Sequence, residues 1–472
     1  MIRPWELDIQ LNYQSEKAVY LQIADTLIGI IRSGRIKSGE ALPSSRTLAS
    51  QLKVNRNTVV EALQILINEE WVMARERKGI FVSEHLPLAT KRKQQAIKED
   101  EPTPIKRHHI VFDDGHPDSK IAPVAALARA YRRIFNTKAK GQMMGYTDAY
   151  GNAAFRAALA KMLNHHRAMH IGSEQICVTR GSQMALYLTA QCLLEKGDYV
   201  MIEDPGYQPA WQAFEHSGAK LLPLRLDREG LLIEDVIQYL KKYKKIKAIY
   251  ITPHHQYPTT VTLSMQRRLE LVRLSQAYGF TIIEDDYDNE FHFAYRPILP
   301  VCSLDTIMHY VYIGTMSKVV APALRMGYIV SHPALLEKIA ALRKIIDVQG
   351  DAIMEQAVLQ LMEEGTISRH LKKGIHHYKA KRDLCATLID QYLSGKVTYH
   401  LPEGGLAFWI MPLQTVNWHK IAAQLSLKGI KITPPDQYSY RQDTNGFRLS
   451  YGALSATQLK EGIKALGSLL GP

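Results

Sequence analysis

Apolar residues in the first part of the chain recur at helical spacing. Tyr20, Ile23, Leu27 and Ile31 mark one amphipathic helix, which Gly34 and Gly39 break. In Leu42-Pro43-Ser44-Ser45 the serines can cap a short second helix, Arg46 to Leu52. Val54-Asn55 makes a tight turn. Asn55 can then cap a third helix with Val59, Leu63, Leu66 and Ile67 on its apolar face. Trp71 to Val82 predicts a hairpin turning at Lys78-Gly79. After residue 83 the periodicity stops. The stretch KRKQQAIKEDEPTPIKRHH is charged and carries two prolines, which predicts a solvated linker. Beyond it, apolar runs alternate with helical segments. The runs include Gln175–Thr179, Tyr199–Ile202, Ala248–Thr252, Thr281–Glu284 and Val311–Gly314. Near-continuous apolar strands between helices predict a parallel sheet covered on both faces. The expected domains are therefore 1–83, a linker over 84–108, and 109–472.

Composition narrows the class. The 472 residues are 46% hydrophobic and 22% charged, too apolar for a disordered chain and long enough for more than one folded unit. Cys177, Cys192, Cys302 and Cys385 are scattered without a CxxC pair. That argues against a disulfide framework or a zinc site and fits a reducing cytoplasm. MIRPWELDIQ lacks an apolar h-region, and no run approaches ~20 apolar residues, so neither secretion nor a membrane partner is expected. The net charge is +13, but residues 1–83 carry 11 Lys and Arg against 9 Asp and Glu. An argument for nucleic acid must therefore rest on local clustering, not on domain charge.

Such a cluster exists. Helix, short helix, turn, third helix and hairpin is the order of a winged helix-turn-helix, whose third helix enters the major groove by its N-terminal end. That end here is Asn55-Arg56-Asn57-Thr58. Arg can fork onto guanine, Asn can pair with adenine, and Thr can touch phosphate or a methyl group. Ser44, Ser45, Arg46 and Lys53 lie nearby, where they can hold phosphates. Arg75, Arg77 and Lys78 decorate the hairpin tip, where a wing would meet the backbone or minor groove. The plain alternative is a three-helix packing module with ordinary surface charge. "LPSSRTLASQLKVNRNTVVEALQ" followed by "RKGIFVS" resembles the DNA-binding domain of GntR-type bacterial regulators over roughly residues 15–83.

The larger unit offers, at its strand-to-loop junctions, the groups that a pyridoxal phosphate site needs. Arg180-Gly181-Ser182-Gln183 follows a strand and opens a helix, where small residues and the helix dipole favour a phosphate. Tyr207 can stack on a pyridine ring, and Gln256 can hydrogen-bond a ring hydroxyl. Asp285 can pair with a protonated pyridine nitrogen, and Tyr287 can touch the ring oxygen. Lys318 in Thr315-Met316-Ser317-Lys318 supplies an amine. Beside cations and partly desolvated, it would lose pKa. Thr315, Ser317 and Arg325 suit a phosphate, and Arg448 in Phe447-Arg448-Leu449-Ser450 can fork onto a carboxylate. Two metal readings compete: adjacent His254 and His255, without a well-spaced third ligand, and the acids of Glu284-Asp285-Asp286-Tyr287-Asp288. No metal is expected.

Taken together, these fragments resemble fold type I pyridoxal phosphate enzymes of the aspartate aminotransferase class, over roughly residues 110–470. The most specific part is Ser317-Lys318, then Pro322, then Arg325-Met326-Gly327-Tyr328. The resemblance implies that Lys318 forms the Schiff base with pyridoxal 5'-phosphate and that Asp285 pairs with the ring nitrogen. It implies Tyr287 and Gln256 near the ring oxygen, Tyr207 stacked, and Ser182, Gln183, Thr315, Ser317 and Arg325 on the phosphate. Arg448 would take an effector carboxylate, and Tyr146 would reach the phosphate of a partner subunit. The family loop usually has Asn before Pro-Thr-Gly. Here it reads Gln256-Tyr257-Pro258-Thr259-Thr260, with Thr260 at the glycine. That predicts a stiffened or displaced turn.

The two halves and the linker together resemble the MocR subfamily of GntR-type transcription regulators. The expected architecture is an α+β winged helix-turn-helix domain followed by a large α/β domain of the aspartate aminotransferase-like fold. The expected function is a homodimeric, cytoplasmic regulator of double-stranded operator DNA that senses pyridoxal phosphate or an amino compound. The rivals are an active aminotransferase with a DNA-binding appendage, and a body that serves only dimerisation.

Overall fold

Both predicted caps form. Ser44 Oγ accepts from the Thr47 N–H (3.2 Å) at the start of helix Ser45–Leu52, and Asn55 Oδ1 accepts from the Asn57 N–H (2.9 Å) at the start of helix Arg56–Asn68. Each satisfies a backbone donor that a helix start leaves unpaired. In this computed structural model the described residues are 9–471 apart from 77, 88–107, 138–144, 294–297, 305 and 442–443. The chain divides into two units, 1–103 and 104–472.

In the smaller unit, helix Val19–Arg32 buries Ile23, Leu27 and Ile31 against Val59, Leu63 and Leu66 of the third helix. The hairpin pairs Val72–Arg75 with Gly79–Val82, and Trp71, Val72 and Val82 close the same core. The segment before the second helix runs along the hairpin edge, with Leu42 N–H bonded to the Ile80 carbonyl (2.8 Å). Arg77 at the hairpin tip, and most of the predicted linker, lie outside the described residues.

The larger unit is built on a seven-stranded sheet. Its order is Ile176–Thr179, Gly327–Ser331, Tyr310–Thr315, Thr281–Asp286, Ile246–Ile251, Tyr199–Glu203, Lys220–Leu224. Alternate residues enter opposite cores, as the pleat requires. Val311 and Ile313 pack with helices Ser182–Leu193 and Pro333–Ile346, while Tyr312 between them packs with helices on the other face. The sheet departs from the all-parallel expectation at one strand, Gly327–Ser331, which runs antiparallel to both neighbours. The connection from Thr315 to Gly327 holds only a 3-10 turn, and a parallel return needs a longer crossover.

A second, three-stranded antiparallel sheet orders Val397–Tyr399, Ala407–Pro412 and Phe447–Ser450. It packs against helices Thr366–Leu393 and Ala456–Gly467. Strand Ile110–Val111 pairs with Ile430–Lys431, which carries the following residues 113–116 towards the carboxyl ends of the large sheet.

Leu63 is nearly inaccessible at the centre of the small unit's core. Leu63→Ala is expected to destabilise that unit by ~2–5 kcal/mol, the usual range for a buried leucine truncated to a cavity. Thermal melting should show an earlier transition while pyridoxal phosphate uptake by the larger unit is retained.

Candidate functional site

Polar groups of the large unit converge where its parallel strands end, the place at which such sheets bind ligands. Strand Thr281–Asp286 alternates its acids. Glu284 and Asp286 point to one face and Asp285 to the other, so the acid run is not one site. Glu284 accepts from the Val301 and Cys302 N–H groups (3.1 and 2.8 Å). Asp286 meets Arg167 and Tyr312, and Asp288 takes His255 Nδ1 (2.8 Å). His254 Nε2 binds the Ile298 carbonyl (2.6 Å). Among the described residues no group of three His, Cys, Asp or Glu could hold a metal ion.

Asp285 lines a cavity of ≈ 170 Å³ together with Lys318, Ser182, Tyr207, Tyr287, Thr315, Ser317 and Arg325. Those eight were all expected there. Tyr250 O–H donates to Asp285 Oδ2 (2.9 Å), and burial pushes the Asp285 carboxyl up to about 7. Lys318 Nζ donates to the carbonyls of Gly115 (2.5 Å) and Asp114 (3.4 Å) and lies 5.4 Å from the Tyr287 ring centroid. Desolvation lowers its pKa, so more of it is the free amine that bonds a carbonyl.

The end expected to take the phosphate rests on one glycine. Gly181 has φ +84° and precedes helix Ser182–Leu193, and a Cβ there would stand 2.6 Å from Arg325 Nη2. Only glycine lets that guanidinium lie against the helix start, and both features favour an anion. Ser317 Oγ nearby is buried without a partner, as are Asp285 Oδ1 and Arg448 Nε. Phosphate, pyridine nitrogen and carboxylate are the complements of these three atoms, so the residues fit pyridoxal phosphate and an amino acid. Arg448 is buried, donates to the Pro258 carbonyl (2.8 Å), and lies 4.9 Å over the Tyr257 ring.

Two residues expected at the ring or the phosphate, Gln256 and Gln183, do not line the cavity. Gln256 is behind the cavity. Its Nε2 donates to the Pro205 and Tyr257 carbonyls (2.9 and 2.6 Å), and its Oε1 accepts from Thr259 Oγ1 (2.5 Å). The residue that reaches the cavity is Tyr257, immediately before Pro258. Gln183 donates to the Pro209 carbonyl (3.0 Å) and accepts from Tyr207 O–H (3.4 Å), so it supports Tyr207 without lining the cavity. Tyr146, expected at the phosphate of a partner subunit, is 89% exposed and does not line this chain's own cavity. Thr260 keeps the turn by adopting φ +63°, a conformation that favours glycine, with its N–H on the Gln256 carbonyl (2.6 Å). Missing from the expectation were Tyr250, Thr252, Tyr257, Asp114 and His116. Strand alternation points to Tyr250, two residues from Thr252. No local signal marks Asp114 and His116.

In the small unit Arg56, Asn57 and Arg46 are exposed at adjoining helix starts, and Arg56 Nε lies 3.4 Å from Ser45 Oγ. Ser44 and Asn55 are occupied as caps, and Thr58 is half-buried behind Arg56. Arg75 lies over the Phe81 ring (4.9 Å) and bridges Glu84 (3.2 Å), with Lys78 exposed beyond it.

Two family models match. Residues 107–466 match aminotransferase class I and II, and residues 19–82 match bacterial regulatory proteins of the gntR family. The chain is 26% identical to a probable rhizopine catabolism regulatory protein, MocR, of Rhizobium meliloti, over 97% of this chain and 95% of that one. It is 28% identical to an aromatic-amino-acid aminotransferase of Thermococcus litoralis, over 76% of this chain and 88% of that one. Among solved structures it is similar to the α-aminoadipate aminotransferase LysN of Thermus thermophilus, complexed with N-(5'-phosphopyridoxyl)-L-leucine. That likeness has a TM-score of 0.71 and 26% identity, and covers 76% of this chain and 92% of the other.

The raised Asp285 pKa fixes a sign. With its native value near 7 and an unfolded value of ~4, the folded protein keeps a proton that the unfolded chain has lost. Stability of the cofactor-free protein therefore falls as pH rises through that window. Cofactor-free Asp285→Asn is expected to melt a few degrees above the parent at pH ~8 and level with it at pH ~4. It should also bind pyridoxal phosphate less tightly. Equal melting shifts at both pH values would contradict the assignment.

Proposed function

The chain belongs to the aminotransferase class I and II family, and from that premise we propose that it is a pyridoxal phosphate-dependent transcription regulator. Residues 1–83 would read operator DNA, 84–108 would link, and 109–472 would sense pyridoxal phosphate or an amino compound. The observation that carries the proposal is the pairing, on one chain, of an Arg56–Asn57 reading edge with a cavity lined by both Lys318 and Asp285. The relative of regulatory name aligns across both parts.

When bound, pyridoxal phosphate supplies a carbonyl that condenses reversibly with amines and a ring that withdraws electrons. The chain's own groups do the rest. Lys318 offers the amine, its pKa lowered by desolvation. Ser182, Thr315, Ser317 and Arg325 hold the phosphate end. Asp285 holds a proton at the ring nitrogen, with Tyr250 fixing its other oxygen. Tyr207 covers the ring, and Arg448 takes a carboxylate. Tyr287 is anchored by donating to the His255 carbonyl (2.8 Å). Occupancy changes charge and contacts around Lys318. If head positions differ between the two states, ligand and DNA affinities are coupled.

Homodimerisation and a cytoplasmic location belong to the same reading. Exposed Ile345 and Val348 adjoin Gln349, which accepts from Thr147 beside Tyr146, and this supports an apolar surface for a second copy. No helix among the described residues is long and apolar enough to cross a membrane. A second reading, catalytic aminotransfer, is favoured by the complete set of Lys318, Asp285 and Arg448. Steady turnover with a keto-acid acceptor would establish it.

Fluorescence anisotropy on a labelled fragment of the gene's upstream region tests the regulator reading. DNA affinity should shift when pyridoxal phosphate is added and should fall as salt rises. Arg56→Ala should weaken specific binding by ~1–3 kcal/mol. Unchanged affinity in Arg56→Ala would remove the reading edge from the proposal.

A further inference from the structure

A second cavity of ≈ 350 Å³ adjoins the first and shares three walls with it: Asp114, Tyr207 and Tyr257. We propose that this annex takes the distal ammonium of a diamino compound, an amino acid or amine with a second amino group at the far end of its chain. The inference rests on the regulator reading and names the effector class of that same site.

The walls are those of a cation cage. Tyr207 and Tyr257 meet at 5.2 Å with planes at 79°, and Tyr257 and Tyr438 at 5.9 Å and 68°. All three rings line the annex, and the ring faces, not the edges, are the negative surfaces that attract a cation. One face of Tyr257 already carries Arg448, so Tyr207 and Tyr438 offer the remaining ring surface.

The charge at that point is Asp114. Its neighbour Asp113 is committed: it accepts from the Gly115 and His116 N–H groups (2.8 and 2.9 Å) and pairs with His116 Nδ1 (2.9 Å). Asp114 Oδ1 accepts from Tyr257 O–H (2.6 Å), which leaves Oδ2 for a ligand. That carboxylate is solvent-open now, and an uncharged ligand tail would bury its Oδ2 without a partner. A tail ending in carboxylate would face Asp114 directly. Lys431 also lines the annex and is exposed, as Asp114 is, but Asp114 alone of the two is held at the rings, by the Tyr257 O–H. Lys318 donates to the Asp114 carbonyl, which places the annex next to the amine that a ligand's first amino group would displace.

The test uses the full-length protein loaded with pyridoxal phosphate and three probes, with affinity read by calorimetry. L-Ornithine and L-norleucine have the same length and differ in a terminal ammonium against a methyl group. L-Glutamate reverses the charge. Ornithine should bind about tenfold or more tighter than norleucine, the factor expected of a charge-assisted bond, and glutamate should bind most weakly. Asp114→Asn should reduce the ornithine preference to within about threefold. The wild-type comparison stands even if that variant fails to fold. Norleucine or glutamate equal to ornithine, or a preference that survives Asp114→Asn, would overturn the proposal. Binding of none of the three would overturn it too. The regulator reading would outlive that result if pyridoxal phosphate still enters the protein and still shifts its DNA affinity.

Discussion

Buried polar atoms without protein partners organise this molecule. Asp285 Oδ1, Ser317 Oγ and Arg448 Nε all lie at the carboxyl ends of the large sheet or above them. Each such atom costs on the order of 1–3 kcal/mol until something pairs with it. Asp285 and Ser317 sit at or just beyond strands of the large sheet and Arg448 in a strand of the three-stranded sheet, each strand fixed by its neighbours' hydrogen bonds. A ligand that completes them therefore binds and stabilises in one step. The same desolvation that raises Asp285 lowers Lys318, so one cause sets both the acid and the amine.

The supporting contacts explain why the groups hold still. Tyr250 fixes one oxygen of Asp285, and Gly181 lets Arg325 reach the helix start. The tyrosines around Tyr257 link the cofactor end to the annex through ring contacts. The small unit has a core of its own, from Ile23 to Val82, and presents Arg56 and Asn57 outward. A change at Lys318 can reach DNA only if the two ligands prefer different states of the whole chain.

Much of this was legible in the sequence, for identifiable reasons. Ser44 and Asn55 act within three residues of themselves, so their capping is local and readable. The apolar strands declare themselves because both faces are buried. Lys318, Arg325 and Asp285 fall at strand ends, where chemistry concentrates. Position by position, the loop around Gln256 was less readable. Hydrogen bonds to Pro205 and Thr259 turn Gln256 away and leave Tyr257 on the cavity. Asp114 arrives through the pairing of Ile110–Val111 with Ile430–Lys431, some 300 residues apart in sequence. Contacts of that separation leave no periodic trace. The antiparallel strand Gly327–Ser331 escaped for a similar reason, since strand direction follows from connection length and not from apolar pattern.

Linkage is reciprocal, and that gives the most direct test of the central claim. The affinity of the protein for pyridoxal phosphate would be titrated by its visible absorbance, with and without saturating operator DNA. The account predicts that DNA changes the cofactor dissociation constant by the same factor by which the cofactor changes DNA affinity. It also predicts that the effect disappears in Lys318→Ala. A cofactor affinity indifferent to DNA would contradict a sensor coupled to the head, and would leave the large unit as an enzyme or a dimerisation module.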